Sequence, residues 1–245
     1  MFHLSGTTKG QKYYENKNNK MIKIFLDSSD INAIKEFEPK VDGFTTNPTL
    51  MRKAGVTDYE KFCKEVLTVV NGKPVSFEVF ADEFDEMERQ ARIISSWGEN
   101  VYVKIPCQNT KGEDSGNFIE RLSNDGIRVN VTAATDSDHL VYIKNNAPMI
   151  FSLFCGRIAD TGIEPTKSIR EVVGRYSNGD AELLWASPRE VLNIYQAEEA
   201  GADIITVTPE LITKYWKMKG KDLNELSLDT VKQFYNDAKE AGYTL

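Results

Sequence analysis

The sequence predicts an α/β fold, a single closed (β/α)8 barrel followed by a C-terminal helix. Short apolar segments alternate with amphipathic stretches eight times between Met21 and the end of the chain. This alternation is typical of a parallel sheet, and eight units in about 225 residues favour a closed barrel over an open doubly wound sheet. No G-x-G-x-x-G motif follows the first segment, which argues against a dinucleotide-binding fold.

The predicted strands are eight runs of five or six residues, each built around Val, Ile, Leu or Phe. They are Ile22–Asp27, Gly43–Asn47, Val75–Phe80, Val101–Ile105, Arg128–Thr132, Met149–Phe154, Glu182–Ala186 and Asp203–Thr208. Residues 83–95, between the third and fourth strands, repeat apolar side chains at helical spacing. The apolar face of this helix consists of Phe84, Met87, Ala91 and Ile94.

Two further helices have recognisable start signals, a Ser or Thr followed by Pro. Ser187 is the predicted N-cap of a helix over 189–200, with Pro188 at the first helical position. Thr208 and Pro209 repeat this pattern after the eighth strand. Both helices are therefore expected to begin directly after the C-terminal end of a strand.

The two ends of the chain differ from the barrel. Residues 1–20 are polar, and we interpret them as a tag, an upstream start or a disordered extension of the 21–245 domain, not as a signal peptide. The pattern over Leu226–Gly242 predicts an amphipathic helix that covers the barrel or packs on a neighbouring subunit. Its apolar face consists of Val231, Phe234, Tyr235 and Ala238.

The composition argues against several classes of protein. The net charge of −7 provides no basic field for nucleic acid or an anionic membrane, and no apolar run is long enough to span a bilayer. Cys63, Cys107 and Cys155 match no disulfide or metal-binding pattern, so we expect reduced thiols and a cytoplasmic location. His3 and His139 are too few for a zinc site, and we expect neither a metal nor an organic cofactor.

Strand parity predicts a polar barrel interior around the third, fourth and fifth strands. One face of these strands carries only apolar side chains, which helices can cover. The opposite face carries Glu78, Lys104, Asn130 and Thr132, near the C-terminal ends of the strands. Barrel enzymes place their chemistry at that end. The pattern therefore predicts an active site inside the barrel mouth.

Lys104 is the most informative of these residues. It lies between Val103 and Ile105 in a run that is expected to be fully buried. A buried lysine must pair, extend to solvent or give up its proton, and a neutral amine can form a Schiff base. The alternative is a permanent ion pair with Glu78, although a buried pair is seldom more stable than apolar packing. The residues alone leave both interpretations open.

Asp27 and Asn47 end predicted strands, and each has two candidate roles. Asp27 either caps the following helix or acts as a general acid or base at the barrel mouth, in which case Ser29 or Asp30 supplies the cap. Asn47 either caps a helix that has Pro48 at its first position, or binds a substrate hydroxyl or carbonyl group.

Arg157, Ser187 and Arg189 follow the sixth and seventh strands and predict an anion site. A helix N-terminus offers free N–H groups to phosphate, and a nearby Arg adds charge. Loops after the late strands of a barrel are a frequent phosphate site. The alternative is that both arginines are ordinary surface residues.

Taken together, these residues resemble the transaldolase and fructose-6-phosphate aldolase family, from about Met21 to the C-terminus. The matching positions occur in the family's order. They are Asp27, Thr45-Thr46-Asn47-Pro48, Glu78, Val103-Lys104-Ile105-Pro106, Asn130, Thr132, Ser152, Phe154, Arg157 and Ala186-Ser187-Pro188-Arg189. The resemblance implies a TIM-barrel enzyme of the class I aldolase type. It also implies a homo-oligomer, because similar small family members often form pentamers or decamers.

The resemblance also implies a role for each residue. Lys104 resembles the Schiff-base lysine, and Asp27 resembles the carboxylate that moves protons at the donor C4 hydroxyl. Glu78 and Thr132 resemble the pair that holds the catalytic water. The ligands of the dihydroxyacetone portion are then Asn47, Asn130 and Ser152, and the phosphate clamp is Arg157, Ser187 and Arg189.

Two positions separate the branches of the family. The aldolase branch tends to carry Gln in place of Glu78 and Tyr in place of Phe154, so both residues here match the transaldolase branch. The expected reaction transfers dihydroxyacetone from sedoheptulose 7-phosphate or fructose 6-phosphate to an aldose phosphate, as in the pentose phosphate pathway. The alternatives are an aldolase that releases free dihydroxyacetone and a sugar-phosphate-binding barrel without catalysis. Pro188 departs from the family, which usually has an aromatic residue there.

Overall fold

Eight parallel strands close into a barrel in the computed structural model, which describes residues 21–140, 143, 146–176 and 181–245. The strands pair in chain order, and the last one pairs with the first. They are β1 (Lys23–Asp27), β2 (Gly43–Thr45), β3 (Val75–Glu78), β4 (Val101–Pro106), β5 (Val129–Ala134), β6 (Met149–Leu153), β7 (Ala181–Trp185) and β8 (Ile204–Val207). All eight predicted strands are confirmed, with ends moved by one or two residues. The predicted extension 1–20 lies outside the described residues.

The described helices follow the strands along the chain. They are α1 (Ile31–Phe37), α2 (Pro48–Lys53), α3 (Tyr59–Val69), α4 (Phe84–Ser95), α5 (Gly116–Asn124), α6 (Cys155–Asp160), α7 (Thr166–Tyr176), α8 (Leu192–Ala200), α9 (Pro209–Met218) and α10 (Leu223–Glu240). Helix α4 confirms the prediction for residues 83–95, and it buries Met87, Ala91 and Ile94. None of the described helices is both long and apolar enough to cross a membrane.

Alternation along the strands divides the core into two clusters, as parity predicts. The larger one lies between the strands and the helices, and it includes Val103, Val129 and Phe151, each at most 1% exposed. Burying one such side chain contributes about 1.5–3 kcal/mol to stability. The smaller cluster lies inside the barrel, and two of its members, Leu184 and Ala186, reach the cavity described below. It consists of Phe25, Tyr102, Ile150, Leu184, Ala186 and Ile204.

The register of the sheet brings polar side chains of adjacent strands together. Glu78 pairs with Lys104 across β3 and β4, and Lys104 pairs with Asn130 across β4 and β5. On the other side of the barrel, Asp27 pairs with Thr45 across β1 and β2. Because inward residues at the same level point into a shared space, the register gathers these groups at one end of the barrel.

The predicted helix start at Ser187 is wrong. Ser187 has φ of +60°, and helix α8 begins only at Leu192. The side chain of Asn193 instead accepts hydrogen bonds from the backbone N–H groups of Arg189 and Glu190, at 2.7 and 3.0 Å. The left-handed turn at Ser187 prevents the chain from entering a helix there. The matching signal after β8 is confirmed, because Thr208 caps α9.

The C-terminal helix α10 leaves its apolar side chains in solvent. Asp222 caps it, and the helix runs over Leu223–Glu240, three residues ahead of the predicted start. Val231, Phe234 and Tyr235 are 60%, 66% and 68% exposed. The predicted amphipathic helix is therefore present, and none of the described residues covers these three side chains.

Candidate active site

A cavity of about 580 Å³ opens at the C-terminal ends of the strands. This volume lies within the range of small-molecule sites. Its charged lining residues are Asp27 from β1, Glu78 from β3, Lys104 from β4 and Arg157 from α6. Most of the remaining lining is hydroxyl, amide or apolar, so the few charged groups dominate its electrostatics.

Lys104 reaches the cavity from a position that is only 6% exposed. Its Nζ donates a 2.9 Å hydrogen bond to the backbone carbonyl of Thr46. Glu78 Oε2 lies 3.4 Å from the same nitrogen. An ammonium group has three donors. Among the described residues the amine makes this one hydrogen bond, so it keeps donors for a ligand in the cavity.

Asp27 faces the same cavity and does not cap a helix. Asp30 caps α1 instead, with Oδ1 accepting from the N–H of Asn32 at 2.8 Å. The Thr45 hydroxyl donates to Asp27 Oδ1 at 2.8 Å. Burial raises the pKa of Asp27 above its ordinary value, while the charge of Lys104 and the bond from Thr45 oppose the rise. A carboxyl group with a raised pKa is suited to exchanging protons near neutral pH.

Asn47 caps a helix and also borders the cavity. Its Oδ1 accepts from the N–H of Leu50 at 2.9 Å, which caps α2. Its Nδ2 lies 3.5 Å from Asp27 Oδ2 and borders the cavity. The cap fixes the orientation of the amide, so the Nδ2 donor points toward the carboxylate and any ligand beside it.

Thr132 supplies a buried hydroxyl without a hydrogen-bond partner among the described residues. It lines the cavity, as does Glu78. The register of β5 shifts between Val131 and Ala134, and Ala133 adopts φ of +61°. Such bulges redirect side chains and are frequent beside active sites. An unpartnered buried hydroxyl requires a ligand or a water molecule to satisfy it.

Asn130 and Ser152 form a hydrogen-bonded pair at the side of the cavity. Ser152 Oγ donates to Asn130 Oδ1 at 2.6 Å, and Asn130 Nδ2 donates to Ser76 Oγ at 3.0 Å. Ser152 lines the cavity, whereas Asn130 is fully buried and does not. Asn130 therefore orients Ser152, and only Ser152 of this pair borders the cavity.

The structure places two of the three residues of the predicted anion site at the cavity. Arg157 and Ser187 line the cavity, and the Arg157 guanidinium lies 5.7 Å from the centre of the Phe154 ring. Arg189 does not line the cavity, and its guanidinium pairs with Asp160 of α6, with 3.1 Å between Nε and Oδ1. Arg157 is therefore the arginine that lines the cavity in the described part of the chain.

A family model described as transaldolase/fructose-6-phosphate aldolase matches residues 24–245. The chain belongs to the transaldolase/fructose-6-phosphate aldolase family. A probable transaldolase 2 of Listeria monocytogenes is 38% identical over 201 residues, 80% of this chain and 88% of the relative. A probable transaldolase of Lactiplantibacillus plantarum is also 38% identical, with 80% and 89% covered. One of Brucella anthropi is 35% identical, with 77% and 86% covered.

Solved structures show that the family's barrel is widely shared. An orotidine 5′-monophosphate decarboxylase from Metallosphaera sedula superposes with a TM-score of 0.53 at 14% identity, covering 80% of this chain and 99% of that one. A putative lyase/mutase from Burkholderia cenocepacia gives 0.55 at 13% identity, covering 92% and 86%. At such identities the likeness concerns the fold alone, and the transaldolase/aldolase assignment depends on the sequence matches.

The sequence analysis did not predict Thr206 as a residue of this cavity. Thr206 on β8 lines the cavity, and its Oγ1 lies 2.5 Å from Thr45 Oγ1. The signal that could have found it is parity, because Thr206 shares a face of its strand with the interior residue Ile204. No three His, Cys, Asp or Glu side chains come together as metal ligands in the described part of the chain.

Proposed function

We propose that this enzyme is a transaldolase that transfers a dihydroxyacetone unit through a Schiff base on Lys104. The donor is a ketose phosphate, sedoheptulose 7-phosphate or fructose 6-phosphate, and the acceptor is an aldose phosphate. The observation that carries the proposal is a buried lysine amine in a cavity that also contains Glu78 and Asp27. By family resemblance, the reaction belongs to the pentose phosphate pathway and takes place in the cytoplasm.

The first step is addition of the neutral Lys104 amine to the C2 carbonyl of the donor. The carbinolamine then loses water and gives an imine, which acts as the electron sink for the next step. Glu78, 3.4 Å from the amine, exchanges the protons of this step through a water molecule. Thr132 supports this assignment, because it lines the cavity and its buried hydroxyl has no protein partner among the described residues.

The second step breaks the bond between C3 and C4. Asp27 takes the proton of the C4 hydroxyl, the bonding electrons move into the imine, and the aldose phosphate leaves. The enamine that remains on Lys104 attacks the aldehyde carbon of the acceptor, and Asp27 returns its proton to the new alkoxide. Hydrolysis of the imine then releases the ketose product. The raised pKa of Asp27 suits a group that must both accept and donate this proton.

Transfer competes with release of free dihydroxyacetone, which requires a proton on the enamine carbon. Phe154 borders the cavity and has no acidic hydrogen, and no Tyr or His borders it among the described residues. The enamine therefore persists until an acceptor aldehyde arrives. Arg157 binds the phosphate, and Ser187 supplies a neighbouring hydroxyl.

The proposal includes a homo-oligomer, a pentamer or decamer by family resemblance. The apolar face of α10 supports it, because Val231, Phe234 and Tyr235 are more than half exposed in one chain. Exposed apolar patches of this kind mark interaction surfaces. Light scattering coupled to size-exclusion chromatography measures the mass of the assembly, and a monomer at micromolar concentration would reject this part of the proposal.

Borohydride trapping tests the Schiff base. The wild-type chain is incubated with fructose 6-phosphate and borohydride, and peptide mass spectrometry locates the reduced adduct. We expect a dihydroxyacetone or hexose phosphate adduct on Lys104 and none in a folded Lys104→Met variant. A wild-type protein that forms no adduct is a sugar-phosphate-binding barrel in which Lys104 and Glu78 stay paired. An adduct together with free dihydroxyacetone, formed without an acceptor, indicates an aldolase instead.

A further inference from the structure

Thr206, Thr45 and Asp27 form a continuous row of hydrogen bonds inside the barrel. Thr206 Oγ1 lies 2.5 Å from Thr45 Oγ1, and Thr45 Oγ1 lies 2.8 Å from Asp27 Oδ1. Thr45 is 2% exposed and Thr206 is 6% exposed, and both border the cavity. The row joins β8 to β1 by way of β2.

The direction of these hydrogen bonds follows from counting protons. A threonine hydroxyl has one hydrogen. While Asp27 is a carboxylate it only accepts, so the hydrogen of Thr45 must go to Asp27 Oδ1. The contact between the two threonines then requires Thr206 to donate to Thr45. Thr206 has no other hydrogen-bond partner in the part of the chain that the structure describes, so its hydrogen is available for this bond.

The surrounding residues hold the two hydroxyls in place. Both β2 and β8 pair with β1, with Thr45 opposite Asp27 and Thr206 opposite Phe25. Phe25 lies over Gly43, where an added Cβ would come within 2.6 Å of the ring. Phe25 and Ile204 belong to the apolar cluster inside the barrel. The described residues offer the Thr206 hydroxyl no partner besides Thr45, and a chain of hydrogen bonds strengthens each member.

The two oxygens of Asp27 are consequently not equivalent. Oδ1 accepts the short bond from Thr45, whereas the nearest donor to Oδ2 is Asn47 Nδ2 at 3.5 Å. An oxygen that already accepts a strong hydrogen bond is the weaker base of the two. The geometry therefore directs the C4 hydroxyl proton of the donor to Oδ2, and Oδ1 stays bound to Thr45 before and after the transfer.

We propose that Thr206 is a positioning residue for proton transfer at Asp27, a role that rests on the proposed function. Thr206 donates to Thr45, and this fixes the hydroxyl of Thr45 as the donor to Oδ1. The carboxylate is thereby held in one rotamer with Oδ2 facing the substrate. Loss of the Thr206 hydroxyl frees Thr45 to rotate, and the carboxylate loses both orientation and stabilisation.

The pH dependence of a Thr206 variant can be interpreted only if the charged groups around Asp27 are known. Lys104 on β4 acts on Asp27 directly, and Glu78 on β3 and Arg157 on α6 line the same cavity. A Thr206→Val substitution keeps the shape of the side chain and changes none of these charges. A shift in the pH profile of this variant therefore reports the hydroxyl acting through Thr45.

The experiment compares kinetics and trapping in four variants. For Thr206→Val we expect kcat to fall about fivefold, and the acidic limb of kcat/KM to move up by about half a pH unit, since one charge-assisted hydrogen bond is weakened. KM changes less than twofold, and Thr206→Ser restores the wild-type profile. In a Thr45→Val background, adding Thr206→Val changes nothing further, because the two residues act in one row.

Several outcomes overturn the inference. They are an unchanged pH profile in Thr206→Val, an additive loss in the double variant, and an increase in KM alone, which would mean direct contact with the sugar. Borohydride trapping on Lys104 keeps the two proposals distinguishable. Absence of an adduct in the wild type rejects the proposed function, whereas a wild-type adduct with unaltered Thr206→Val kinetics rejects only the role of Thr206. Should Thr206→Val fold poorly, Thr206→Ala provides the same comparison.

Discussion

Lys104 and Glu78 are direct cross-strand partners, and Lys104 Nζ lies 3.4 Å from Glu78 Oε2. This separation is longer than a charge-assisted hydrogen bond, which measures about 2.7–2.9 Å. The 2.9 Å hydrogen bond of the amine goes to the Thr46 carbonyl instead. The pair is thus close enough for proton exchange through water, and it leaves the amine a direction from which a carbonyl carbon can approach.

Replacement of Asp27 separates imine formation from bond cleavage. Asn cannot take the C4 proton, so we expect Asp27→Asn to lower kcat for transfer by about 10²–10⁴-fold while the Lys104 adduct still forms. A coupled transfer assay and borohydride trapping measure the two effects. The matched control is Asp30→Asn, because Asn caps a helix nearly as well as Asp. Activity close to wild type in Asp27→Asn would contradict this role.

The same substitution is expected to stabilise the fold at neutral pH. Burial raises the folded-state pKa of Asp27 above its ordinary value of 3.8, so the folded protein binds this proton more tightly than the unfolded chain. Stability from this group is present below pH 3.8 and is lost as pH rises through the folded pKa. Asp27→Asn avoids that loss, and we expect a melting temperature a few degrees higher at pH 7. Thermal melts from pH 3 to 8 test this, and a difference that does not shrink toward low pH would contradict it.

Several residues of this site could be predicted from the sequence because side chains alternate between the two faces of a strand. Glu78, Lys104 and Thr132 follow from alternation, because a strand places every second residue on one face whatever surrounds it. The position of Asp27 relative to the helix cap also follows from local chemistry, since Asp30 stands at the preferred distance from the helix. These features depend on neighbours within a few residues.

The wrong helix start at Ser187 and the place of Arg189 outside the cavity lining both involve contacts between segments distant in the sequence. The Ser-Pro signal at Ser187 is a good local cap, yet its carbonyl packs against Gly156 of α6 and the chain turns there with positive φ. The pairing of Arg189 with Asp160 likewise joins α6 to the loop after β7. Neither contact has a signature in the sequence around Ser187.

The ion pair between Arg189 and Asp160 is expected to limit the affinity of the enzyme for phosphorylated sugars. Arg189 and Asp160 are both about half exposed, and such pairs contribute only about 0.2–1 kcal/mol. An Asp160→Asn variant frees the guanidinium to turn toward a phosphate, so we expect KM for fructose 6-phosphate to fall about threefold. KM for unphosphorylated fructose should not change. Asp125→Asn, which breaks the surface pair with Arg92, is the control, and an equal effect there would count against the prediction.

A hydroxyl group introduced at position 154 is expected to favour release of free dihydroxyacetone over its transfer to an acceptor. Phe154 borders the cavity that holds Lys104, and a Tyr in its place offers a proton to the enamine. In Phe154→Tyr we expect free dihydroxyacetone to form severalfold faster in the absence of an acceptor. Phe154→Leu, which removes the ring without adding a hydroxyl, controls for altered packing. Equal release by the two variants would show that the hydroxyl is not responsible.

A single methyl group at Gly156 is expected to disrupt the side of the cavity that Arg157 and Ser187 line. An added Cβ would lie 1.6 Å from the Ser187 carbonyl oxygen, which is backbone and cannot move aside cheaply. Gly156→Ala therefore has to displace α6 or Ser187, at a cost of about 1–3 kcal/mol. Because Arg157 follows directly on α6, KM for phosphorylated donors should rise as well.

The control for Gly156→Ala is Gly174→Ala in helix α7. An added Cβ there meets nothing within 4 Å, and Ala is favoured over Gly inside a helix by about 0.8–1.0 kcal/mol. Denaturant unfolding should therefore show opposite signs for the two glycines, and only Gly156→Ala should alter KM. If Gly156→Ala were as stable as the wild type, α6 and Ser187 would not be packed against each other, and the phosphate would have to be bound by a different arrangement of Arg157.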